Sequence, residues 1–362
     1  MWTARFFLDK RENKMKLATR CIPLGSLPYD SIEPTSKMMV KLFEKLPYLP
    51  VLPYVAEEDN IISRTLEDIP GIKLCDNKVK IKIASNHYKQ RMDKLEKAFN
   101  RPTLENLEPF AINSPFIERF LQIIKKFTPT EAVINLLGPF TISQILENVA
   151  EEEMLVDKTY RKLFIQAVCI KALWIVEKIK EVSPNTKPLI ILEEPSLGSL
   201  GDIKRENEEI TIELVTALIA KVVEKLHDAD VYVGIECLEK CDWKIPINAG
   251  VDLISFDAYN NPNNLSIIPE QITEFISRGG KINWGIVPVM NEAIVKSLNI
   301  DIVYNRLLAT MEGLIIAGVS EPFVYNSAFV SVQGNLKHLP IIFAEKAIIL
   351  ANQLAKRIPQ KN

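Results

Sequence analysis

Histidine is nearly missing from this chain: His87, His227 and His338 are the only three in 362 residues. That scarcity leaves little room for His-based catalysis or His-rich metal sites. Cysteine is thin as well, with five residues at positions 21, 75, 169, 237 and 241. The number is odd and only the last two lie close together, so no disulfide framework is indicated. No apolar run approaches the roughly 20 residues a membrane span needs. An excess of one charge is also lacking, since 44 Lys and Arg stand against 46 Asp and Glu. The chain thus carries no electrostatic footprint for nucleic acid or an anionic membrane. No Gly-rich phosphate fingerprint follows any apolar run. The nearest, Gly198-Ser-Leu-Gly201, lacks the spacing of a dinucleotide or P-loop motif. Residues 1–14 hold Arg5, Lys10, Arg11 and Lys14 but no apolar signal-peptide core. They are expected to form an N-terminal extension on a cytoplasmic protein.

What is present is apolar patterning. Hydrophobic residues make up 47% and charged residues 25%, enough for one large core. Short apolar runs without alternation occur at Leu17–Pro28, Leu49–Val55, Ala132–Leu137, Pro188–Leu192, Val231–Ile235, Leu253–Phe256, Ile282–Val287 and Phe323–Tyr325. Such runs suit parallel strands covered on both faces. Between the later ones lie helical stripes, for example Phe164, Val168, Ala172, Ile175 and Ile179. Eight strand-like runs, mostly followed by helices, predict an α/β protein: a (β/α)8 TIM barrel over residues 15–362. One stretch, about 57–128, breaks the alternation. Ile72–Cys75 and Lys78–Ile83 flank Asp76-Asn77 and read as a β-hairpin. Helices over His87–Asn100 and Pro115–Phe127 follow, so an insertion of hairpin plus helices is expected after the second strand.

In such a barrel the C-terminal strand ends converge on one site. Here those ends are rich in acid: Glu193, Glu194, Glu236 and Asp257. Clustered carboxylates bind an amine, hold a cation or act as acid and base, and at least one should have a raised pKa. Each also has a plain structural reading. Glu194 before Pro195 braces a loop, and Asp257 holds the Asn260-Asn261-Pro262 turn. Cys237 and Cys241 are buried thiols rather than ligands, and Ser26 beside Gly25 shapes a turn.

The motifs in order resemble the cobalamin-independent methionine synthase catalytic-barrel family, within the superfamily that includes uroporphyrinogen decarboxylase. The resemblance spans about Ala18 to Ala355. It rests on Leu24-Gly-Ser-Leu-Pro28, Gly138-Pro-Phe-Thr141, Glu193-Glu-Pro195, Cys237 through Cys241-Asp-Trp243, Gly250 through Tyr259 and Trp284-Gly-Ile-Val-Pro288. It implies methyl transfer to a small thiol such as homocysteine, held as a thiolate by zinc. The family zinc ligands are a His, a Cys two residues later, an acid after the next strand and a Cys after the last. The corresponding positions here are Glu236, Leu238, Asp257 and Ala328, so the set is altered. A rearranged metal set would draw on Glu236, Asp257 and Cys237 or Cys241, with Glu236 and Asp257 as catalytic candidates. The resemblance makes Ser26 the receiver of a substrate carboxylate and Glu193 the receiver of its ammonium. Gly138, Thr141 and Tyr259 complete the expected substrate-binding set. A folate or a corrinoid protein is the implied methyl donor.

Three functional readings stay open. The first is a methionine synthase-like methyltransferase with a rearranged metal site. The second is a lapsed barrel that binds a small amino-acid-like ligand or serves as a partner subunit. The third is metal-free acid–base chemistry by the carboxylate cluster.

Overall fold

A computed structural model of the chain describes residues 15, 17–75, 78–81, 88–148 and 154–361. The expected extension over residues 1–14, the Asp76-Asn77 turn and His87 lie outside them. Ten strands are described: β1 Tyr48–Leu49, β2 Ile72–Cys75, β3 Lys78–Ile81, β4 Glu131–Leu137, β5 Leu146–Asn148, β6 Lys187–Glu193, β7 Tyr232–Cys237, β8 Leu253–Phe256, β9 Lys281–Val287 and β10 Ala328–Val332. Seven form one parallel sheet in the order β1-β4-β6-β7-β8-β9-β10. The strands β4, β7, β8 and β10 are buried along their whole length. Each is covered on both faces, which is why apolar runs rather than alternation mark them.

The first expected strand is a correction. Residues 17–28 form no ladder, only isolated parallel bridges from Cys21 to Val330 and from Ser26 to Val51. Ile22 N donates to Val330 O at 3.0 Å, and Leu27 N to Val51 O at 3.0 Å. This segment therefore links the two edges of a curled sheet, a TIM-barrel-like arrangement. The physical cause is local. Pro23 has no N–H to give a ladder, and Gly25 sits at φ +80°, outside the extended region. The same reasoning explains why β1 has two residues, since Pro47 and Pro50 flank it.

The last expected strand also moves. Phe323–Tyr325 belong to the helix Glu321–Ser327, and the strand is β10, Ala328–Val332. Ser320 precedes that helix and Pro322 sits in its first turn, where a missing N–H costs nothing. The aromatic and β-branched run mimicked a strand. Ala328 therefore begins β10, at the end remote from the barrel mouth, and Gln333 stands where the strand exits.

The expected hairpin is present, with β2 and β3 antiparallel, and β5 adds to it in parallel. With helices Tyr88–Asn100 and Ile117–Phe127 it lies between β1 and β4 in the chain. The helix Lys158–Val182 is buried on nearly every face from Leu163 to Val176. It packs on the sheet and also against the helices Tyr88–Asn100, Leu104–Leu107 and Ile117–Phe127. Among the described residues no helix is long and apolar enough to cross a membrane.

Candidate functional site

Register decides which acids meet. Glu193 in β6 pairs with Glu236 in β7, Glu236 with Ser255 in β8, and Ser255 with Asn283 in β9. Register partners in a parallel sheet share a face, so these four side chains form one polar layer inside the barrel. Asn283 is fully buried, and its Nδ2 donates to Ser255 Oγ and Ser331 Oγ, both at 2.9 Å. This layer floors the mouth.

Glu193 and Glu236 are the two acids of this layer, on neighbouring strands. Asn135 Nδ2 donates to Glu193 Oε1 at 2.9 Å. Burial raises the Glu193 pKa, while the Asn135 hydrogen bond and the Arg64 charge oppose that rise. Glu236 lacks such support. It is buried, and its Oε2 has no hydrogen-bond partner among the described residues. Its pKa is pushed well above 4.5, first by burial, then by the charges of Glu193 and Cys237. A raised acid stabilises the fold fully below its unfolded value and loses that contribution as pH climbs through the folded value. The E236Q protein should therefore match the wild type in Tm near pH 4.5 and exceed it in mild alkali; thermal melts across that range test this. Equal melting at both ends would mean that the pair is not strained.

Asp257 lies two residues beyond Ser255, on the same face. Its Oδ1 accepts from Asn260 N at 2.8 Å, and its Oδ2 from Asn260 Nδ2 and Gln333 Nε2, each at 2.8 Å. Both oxygens are thus committed, largely to the turn the sequence suggested. Ser26 donates through N and Oγ to Asn335 Oδ1, at 2.9 and 3.0 Å. Tyr259 lies by its own loop, where its carbonyl accepts from Arg306 and the guanidinium sits 5.0 Å from its ring.

Glu194 turns the other way. It is fully buried, and its carboxylate accepts from Phe140 N at 2.9 Å, Thr141 N at 2.7 Å and Thr141 Oγ1 at 2.6 Å. It closes the open N–H groups at the start of helix Pro139–Ile145, as the bracing interpretation requires. Burial still raises its pKa to about 7. Gly138 and Thr141, expected around a substrate, are packed against this carboxylate; a Cβ on Gly138 would lie 2.2 Å from Glu194 Cδ.

The thiols fall outside the mouth. Cys237 follows Glu236 directly and so faces the opposite side of β7. Its register partner Phe256 packs against Trp243 and Trp284 there. Cys241 is also buried, and hydrogen bonding to Cys237 and burial hold its pKa well up. The structure therefore does not bring Glu236, Cys237 and Asp257 together as ligands. Among the described residues no group of three His, Cys, Asp or Glu is placed to hold a metal ion. At the exit of β10 stands Gln333, an amide that donates to Asp257.

Several mouth residues escaped the sequence reading. Asn135 and Asn283 were visible as polar breaks inside apolar runs. Gln333 and Asn335 were hidden by the misplaced last strand. Arg64 gave no signal: it is 1% exposed, donates to Leu49 O at 2.8 Å and Pro50 O at 2.7 Å, and pairs with Asp59 at 3.3 Å.

A curled parallel sheet with a polar mouth places the chain in the TIM-barrel-like α/β class. Neither a protein-family model nor a curated protein sequence matches it. Among solved structures it is similar to a B12-independent methionine synthase from a Shewanella species in complex with selenomethionine. That likeness has a TM-score of 0.55 at 11% identity and covers 91% of this chain and 87% of that one. It is also similar to a methyltransferase from Methanosarcina mazei, with a TM-score of 0.47, 12% identity and 94% of each chain covered. At these identities the likeness is one of fold.

Proposed function

We propose that the barrel mouth binds a small amine-bearing, amino-acid-like ligand, and does so without a thiol-activating zinc. The carrying observation is the Glu193–Glu236 pair: two acid side chains on one inner face, one of them with a buried oxygen that no donor meets. A primary ammonium supplies three N–H donors and one positive charge, the kind of partner that this pair lacks. Glu193 is the position at which the family resemblance puts the ammonium. Zinc suits a set of four N, S or O donors. At the positions the resemblance assigns to it stand Glu236, the aliphatic Leu238, an already committed Asp257 and Ala328. That donor set does not fit the ion.

Methyl transfer to a small thiol, with a folate or a corrinoid protein as donor, is the second reading. The shared fold with a methionine synthase favours it. Elemental analysis after purification without chelator separates the two. Substoichiometric zinc, even after zinc is offered, together with calorimetric binding of small amino acids that E193Q abolishes, supports the ligand-binding reading. About one zinc per chain with turnover of homocysteine overturns it.

A further inference from the structure

The inner face of the mouth holds more carboxyl groups than its own cations and donors answer. The charge of Arg64 acts on Glu193, but Arg64 is already paired with Asp59 at 3.3 Å. Asp257 is satisfied by three neutral donors, and Glu193 by one, from Asn135. Glu236 Oε2 has none. A buried acceptor without a donor costs more than a hydrogen bond gains, so a native site that keeps one points to a partner not yet in place. A partner with N–H groups and positive charge suits this place, because the neighbour across the strand pair is another carboxyl.

The strand-to-strand spacing of about 4.8 Å sets the Glu193 and Glu236 backbones apart by a distance that a short carbon chain spans. We propose that the ligand carries two cationic nitrogen centres, an α-ammonium for Glu193 and a second ammonium, on a short side chain, for Glu236. This inference rests on the amine-binding reading of the mouth and narrows it to a short dibasic amino acid.

The test is calorimetry with pairs of amino acids of matched shape. L-ornithine is set against L-norleucine, and L-2,4-diaminobutyrate against L-norvaline. For the wild-type protein the dibasic member of at least one pair should bind about tenfold tighter or better, the gain expected for one charge-assisted hydrogen bond. The E236Q protein, checked for folding by circular dichroism, should bind both members of that pair equally while still losing all binding on the further change E193Q. Equal affinity within both pairs in the wild type would overturn the second cationic centre and leave the amine site standing. Unchanged preference in E236Q would assign the second centre elsewhere and overturn the role of Glu236. No binding of any of the four at millimolar concentration would overturn the amine-binding reading itself.

Discussion

The Arg64→Met protein should lose about 3–5 kcal/mol of stability, the cost of leaving a buried charge without its partner. Arg64 and Asp59 have side chains that are almost entirely out of solvent. Removing the guanidinium strands Asp59 and also takes the donors from Leu49 O and Pro50 O. Those carbonyls belong to the short β1 region, where the prolines already limit the backbone ladder. The side chain of Arg64 therefore does what a longer strand would do with N–H groups. Burial lowers the Arg64 pKa and the charge of Asp59 raises it, so the pair is a compromise between desolvation and attraction. Urea denaturation measures the effect. Adding Asp59→Asn to Arg64→Met should recover part of the loss, since the orphaned charge is then gone. A double mutant no more stable than Arg64→Met would show that carbonyl satisfaction, rather than the charge, dominates.

A Gly138→Ala substitution should cost about 3 kcal/mol, at the upper end of overpacking effects. The new Cβ would fall 2.2 Å from Glu194 Cδ and Oε1 and 2.4 Å from its Cγ. Glu194 cannot swing aside cheaply. It is fully buried and accepts three hydrogen bonds at 2.6–2.9 Å from Phe140 and Thr141. Displacing it reopens the start of helix Pro139–Ile145. Glycine is required here by close approach, since the residue has ordinary extended backbone (φ −79°). Glu194→Ala alone should also destabilise, by stranding those donors. The double mutant should cost less than the sum, because the methyl group then enters the space the carboxylate vacates. Strict additivity in a denaturation cycle would contradict this packing account.

The mouth has a clear division of labour. Glu194 and Asp257 are structural acids whose oxygens are spent on helix and turn donors. Glu193 is steadied by Asn135 and the field of Arg64. Glu236 is the acid left unsatisfied, and for that reason it carries the functional reading. Two adjacent residues at the end of β6, Glu193 and Glu194, thus serve unrelated purposes because consecutive positions at a strand end face opposite sides.

Local sequence determined much of the scaffold. The runs at 132–137, 188–192, 231–235, 253–256 and 282–287 became β4 and β6 to β9 with small changes at their ends. Apolar composition over four to seven residues is a local property, and double burial makes it explicit. The hairpin at 72–81 was legible for the same reason, through its turn residues. The last strand was not, because Phe323-Val-Tyr325 has strand composition but follows a serine and Pro322, which start a helix. That one shift relocated the strand exit from Ala328 to Gln333.

The acids at the strand ends could be named from the sequence, but their roles could not. Register placed Glu193 beside Glu236 and put Cys237 behind them. Packing turned Glu194 toward Thr141 and brought Asn135, Arg64, Gln333 and Asn335 to the mouth. These are contacts between residues far apart in the chain. A strand pattern specifies that a side chain is inside or outside. Which partner it meets there depends on how neighbouring strands align, and that alignment exists only once the sheet has curled.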